Sequence, residues 1–140
     1  MAKKEESTYL TIFNIIEVNE NKDSITYLVE TKPELENKNL DLQSRNSKRF
    51  GRKLRTVVDI PEDQKKVFIK INSRRYFNKT TGKTFFEDLS PDISNHKNMT
   101  SRLVKWIKAE KESTGRPNSQ IADEIGVSEA TIRNTLSQED

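Results

Sequence analysis

At 140 residues, with 31% apolar and 34% charged side chains, the chain has room for one ordinary domain or two small ones with modest cores. No apolar run approaches a membrane span and no charged-then-apolar leader opens the chain, so a cytoplasmic protein without a membrane partner is expected. Cysteine is absent and His96 is the single histidine, which excludes disulfides, thiolate chemistry, cysteine-ligated zinc and a histidine relay.

The net charge of +3 hides three blocks. Residues 1–44 carry five Lys against nine acids, residues 45–116 nineteen Lys and Arg against eight acids, and residues 117–140 one Arg against five acids. A basic middle between mildly acidic ends points to a polyanion partner.

Met1 to Ser7 reads as a disordered tail. Tyr9 to Val18 is an apolar, β-branched cluster that predicts a strand at its end. Asn19 to Asp23 is a turn, and Ile25, Tyr27 and Val29 alternate with Thr26, Leu28 and Glu30, so a β-hairpin is expected. Pro33 to Ser47 lacks an apolar period and reads as a loop. Basic residues then crowd the chain, with Gly51 among them as a turn. Leu54, Val57, Val58 and Ile60 make a strand that Pro61 should end. Pro61 to Lys65 is a turn, Val67, Ile69 and Ile71 mark a strand, and Asn78 to Gly82 is a tight turn before a last short strand at Thr84 to Phe86. The β-rich part therefore spans 8–90.

A helix is expected from about Asn98 to Ser113, with Met99, Leu103, Trp106 and Ile107 as its apolar stripe and Arg102, Lys105, Lys108 and Lys111 as a basic row. Gly115 and Pro117 break it. Ile121, Ala122 and Ile125 then share one face of a short helix, Gly126 ends it, and Ser128 caps a second helix whose buried stripe is Ile132 and Leu136. This spacing is that of a helix-turn-helix, and three helices over 91–140 suffice for a domain of that kind. The expected fold class is α+β: a small antiparallel β-rich domain followed by a three-helix domain.

Two stretches, RFGRKLRTVVDIP with VFIKINSRRYFNKTTGKTFFEDLSPDI, and MTSRLVKWIKAE with the helix-turn-helix, together resemble the N-terminal DNA-binding part of the ISL-three group of bacterial insertion-sequence transposases. The resemblance covers roughly residues 24–137. It implies a zinc-ribbon-like segment, then helix-turn-helix elements, then a catalytic domain with an acidic metal-binding triad. The family's second zinc pair falls here on Asn78 and Thr81, and no cysteine supplies a first pair between Pro33 and Asn46. The expectation is a ribbon rebuilt without metal, its turn closed by Asn and Gly and its interior filled by Phe50, Tyr76, Phe77, Phe85 and Phe86. The chain stops at Asp140, before a catalytic domain, so strand transfer is not expected.

The function expected is sequence-specific binding of double-stranded DNA by a transposase-derived protein, as a transcriptional repressor or an element-end binder. Base contact is assigned to Ser128, Glu129, Ala130, Thr131, Arg133 and Asn134: Arg matches a guanine edge, Asn an adenine, Glu a cytosine amino group, and Ala a thymine methyl. Phosphate contact is assigned to Arg49, Arg52, Lys53, Arg55, Arg74, Arg75, Arg102, Lys105 and Lys108. A homodimer is compatible with this reading. The alternative is an interaction module, borne by a phage or mobile element, that inhibits a protein partner and uses the helix-turn-helix to dimerise or autoregulate. No enzyme is expected: there is no catalytic residue set, no metal, no cofactor and no small-molecule substrate, and Asp59 with Glu62 reads as a turn and solvated edge.

Overall fold

The computed structural model describes residues 12–33, 47–89, 92–93 and 98–137. Five strands and three helices follow in chain order: β1 (Phe13–Glu20), β2 (Ser24–Thr31), β3 (Ser47–Glu62), β4 (Lys65–Asn78), β5 (Lys83–Phe86), α1 (Ser101–Thr114), α2 (Asn118–Ile125) and α3 (Glu129–Ser137). Among the described residues the fold is thus α+β, a five-stranded sheet followed by three helices. The tail at 1–7, the body of the loop at 34–46 and His96 lie outside the described residues.

The strands order as β1-β2-β4-β3, and β5 pairs with the far half of β4. The β1–β2, β3–β4 and β4–β5 pairs are antiparallel, as expected. The β2–β4 pair is parallel, which makes the sheet mixed. The long connection from β2 allows this, because β3 can pass outside the position that β4 then fills.

Strand β3 is longer than its sequence suggests, because it carries two bulges. Gly51, expected as a turn, lies inside β3 at φ 91°, where Phe50 and Gly51 together oppose Arg75. Pro61, expected to end the strand, sits with Ile60 in a second irregularity between the Asp59–Val67 and Glu62–Lys65 pairs. Its missing N–H therefore costs no ladder bond. The hairpin turn is Asp63–Gln64, both at positive φ.

Strand alternation feeds two cores on opposite faces of the sheet. Ile25, Tyr27, Val29, Val57, Val67, Ile69 and Ile71 bury one face with Phe13, and Leu89 and Ile93 cover it. Val58 and Ile60 turn the other way, into a core built by Met99, Leu103, Ile107, Ile121, Ala122, Ile125 and Ile132. Each such aliphatic burial contributes about 1.5–3 kcal/mol. Ile93, in the stretch between the sheet and α1, is buried with the sheet.

The seam is also polar. Asn98 to Thr100 pairs with the outer edge of β3: Val58 N–H donates to Asn98 O (2.9 Å) and Thr100 N–H to Val58 O (3.0 Å). Thr100 is also the N-cap of α1, its Oγ1 accepting from Leu103 N at 3.2 Å. The same hydroxyl donates to Asp59 Oδ1 at 2.7 Å, and the Arg102 guanidinium grips both oxygens of that carboxylate. Asp59 is 1% exposed, and Glu62 accepts from the Tyr27 hydroxyl at 3.0 Å. The expected solvated acidic edge is instead structural.

Candidate nucleic-acid interface

The α2–α3 unit is held at both ends. Arg116 donates from Nη2 to Glu110 of α1 (2.9 Å) and Glu124 of α2 (2.8 Å), which fixes the angle between those helices. Gly126 closes α2 at φ 97° and donates to Ala122 O at 2.8 Å. A Cβ there would lie 2.9 Å from Lys66 Cδ, so the turn rests on β4. Ser128 then caps α3: its Oγ accepts from Thr131 N at 3.1 Å and meets Thr131 Oγ1 at 2.9 Å.

Within α3, Ile132 and Thr135 are buried, and Thr135 returns its hydroxyl to Thr131 O at 2.7 Å. Glu129, Ala130, Arg133, Asn134 and Ser137 are exposed. Helical spacing sets Ala130, Arg133, Asn134 and Ser137 side by side. Of the residues assigned to base contact, Glu129, Ala130, Arg133 and Asn134 thus stand outward, whereas Ser128 and the half-buried Thr131 spend their hydroxyls on the cap.

The residues assigned to phosphate contact do not form one patch. Arg74 is 9% exposed; its guanidinium donates to Thr31 O (3.1 Å) and Lys32 O (3.4 Å) and faces Glu87 at 3.6 Å. Glu87 in turn accepts from Thr31 Oγ1 (2.9 Å) and Arg74 N (2.7 Å), plugging the gap on β4 between the ends of β2 and β5. Arg102 is held by Asp59. Arg74 is thus placed inside the fold, and Arg102, with its side chain 23% exposed, is engaged by the buried carboxylate of Asp59. Arg49 and Arg52 lie on one sheet face, and Lys53, Arg55 and Arg75 on the other. Arg55 is half-buried, and burial pulls its pKa down. On α1, Lys105 is exposed and Lys108 half-buried.

The far end of the sheet carries the aromatic residues expected to pack a metal-free ribbon. Only some are interior: Tyr76 is fully buried and stacks on Phe85 at 5.4 Å. Phe50 and Phe86 are 48% and 47% exposed. Arg75 lies 5.3 Å from the Phe50 ring and 5.8 Å from Phe86, Lys53 lies 5.9 Å from Phe86, and Lys48 lies 5.8 Å from Phe77. The signal was the alternation of basic and aromatic residues in Lys48–Phe50 and Arg75–Phe77, readable as a face only once both were strands in known register.

The Asn78–Gly82 turn is closed by Asn78, whose Oδ1 accepts from Thr80 N (2.8 Å) and Thr81 N (3.2 Å). Among the described residues no group of His, Cys, Asp and Glu is arranged to hold a metal ion, and no helix is long and apolar enough to cross a membrane. Comparison with protein-family models, with curated proteins and with solved structures gives no match to this chain.

Proposed function

We propose that the protein binds double-stranded DNA in a sequence-specific manner, with α3 as the element that enters the major groove. One observation carries the reading. The apolar side of α3 is consumed by the helical core, while Ala130, Arg133 and Asn134 stand uncovered on the opposite side. These are residue types that read base edges, on the exposed side of a second helix after a tight glycine turn. Exposed Arg49, Arg52 and Lys105 are the phosphate-binding candidates, because Arg74 is buried against Glu87 and Arg102 is engaged by Asp59. Such a protein would serve as a repressor or an element-end binder, in line with the transposase resemblance.

Selection from a random duplex library, followed by binding to the selected site and to random duplex, tests this. Arg133→Ala should cost about 1–3 kcal/mol on the selected site and little on random DNA. Lys105→Ala should weaken both alike and flatten the dependence of log affinity on log salt by about 1. Recovery of no preferred sequence, or no duplex binding at low salt, would refute the reading. The acidic residues around α3 would then favour a protein partner.

A further inference from the structure

We propose that the far end of the sheet, on the face carrying Lys48, Phe50, Lys53, Arg75, Phe77 and Phe86, is a second nucleic-acid site that takes unpaired DNA by base stacking. The register places these residues together: Lys48 opposes Phe77, Phe50 and Gly51 oppose Arg75, Lys53 opposes Ser73, and Phe86 opposes Arg75 from the other side. Three strands thus supply one continuous face. It is the same face that, nearer the hairpin turn, holds the aliphatic core; past Ile71 the apolar filling gives way to rings and cations.

The chemistry narrows the occupant. No Asp or Glu occurs from residue 47 to 58 or from 64 to 86, so neither β3 up to Val58 nor the body of β4 and β5 offers an acid to pair with these cations. Phosphates supply the complementary charge. Two phenyl rings are about half-exposed and belong to neither core. Arg75 lies within 6 Å of both rings, at 5.3 and 5.8 Å, and its Nη2 donates to Thr84 Oγ1 at 3.2 Å, which holds the guanidinium beside them. A planar base can lie on a phenyl ring beside a guanidinium and gain stacking from both. A duplex hides its base faces, and an acidic peptide would satisfy the cations but leave the rings bare. A single strand uses both features. This site is separate from α3: the helices dock through Val58, Ile60 and Lys66, on the other face and at the other end of β3–β4.

The test uses the full chain and fluorescence anisotropy at low salt, with labelled oligo-dT, oligo-rU of equal length and a random duplex. Oligo-dT should bind, and Phe86→Ala and Phe50→Ala should each weaken it about tenfold while leaving duplex affinity unchanged. Phe86→Trp should retain binding, whereas Phe86→Leu, which keeps bulk but not the π-face, should not. Arg133→Ala should show the opposite pattern, losing selected duplex and keeping oligo-dT, so the two sites fail independently. Unchanged melting curves establish that the exposed substitutions leave the fold intact. The proposal is overturned by absence of oligo-dT binding, by Phe86→Leu binding like the parent, by equal losses on duplex, or by tighter binding of oligo-rU than of oligo-dT.

Discussion

Arg74 and Arg75 are adjacent, chemically identical and opposite in fate. One is buried against Glu87 and the carbonyls of Thr31 and Lys32; the other lies against two rings on an open face. The difference is the two-residue period of β4, which no composition count registers. Position also governs the β3–β4 turn, where Asp63 and Gln64 adopt φ 52° and 63°. A two-residue hairpin with positive φ at both positions favours Asn or Asp followed by Gly, and a residue with a Cβ is strained there by about 1 kcal/mol. Gln64→Gly should therefore raise the unfolding free energy in urea by roughly 0.5–1 kcal/mol, after the added unfolded-state entropy is subtracted. A loss of stability would mean that the Gln64 side chain contributes more than its backbone strain costs. Turn chemistry was legible as punctuation in the sequence; its handedness was not, because Gln carries no positive-φ signature.

At the scale of elements, glycine, cap and apolar stripe in residues 119–136 located α2, the turn and α3, because all three signals are local. The β3 strand was only half legible. Its Lys and Arg residues mask the alternation that Val57 and Ile60 reveal, and its two bulges shift the period where Gly51 and Pro61 suggest breaks. The α2–α3 turn depends on Gly126, where two effects would oppose a side chain: φ of 97° and a Cβ 2.9 Å from Lys66 Cδ. The second is soft, since a lysine stem can move aside. Gly126→Ala should cost about 1–2 kcal/mol, measured by thermal or urea unfolding, and Lys66→Ala in the same chain should recover little of it. Full recovery would identify the contact, rather than the backbone, as the reason for glycine.

For the whole molecule, the decisive element is the seam between sheet and helices, and there the sequence was silent. Asp59 and Arg102 are more than forty residues apart, and each had a plausible separate role on its own segment. The Asp59 carboxylate is buried, with Thr100 Oγ1 and the Arg102 guanidinium as donors. Removing one partner of a buried pair leaves the other uncompensated. Arg102→Ala, which strands the buried Asp59 carboxylate, should cost about 3 kcal/mol, and Trp106, the single tryptophan and packed against the helical core, should report an earlier transition than the far-ultraviolet signal of the sheet. Coincident transitions with a loss below about 1 kcal/mol would mean that water screens the pair as it does at a surface.

The parallel pairing of β2 with β4 also dictates an order of assembly. The β3–β4 hairpin closes through a two-residue turn, so its loop entropy is small. The β2–β4 ladder joins residues about forty positions apart, from Ser24–Lys66 to Glu30–Asn72, and must wait for β4 to exist as a template. Asn98 to Thr100 likewise attaches to the outer edge of β3, so the docking of the helices also awaits that hairpin. A chain emerging from its N-terminus therefore presents β1–β2 long before their partner strand is made, and the central hairpin is the step on which both halves of the molecule converge.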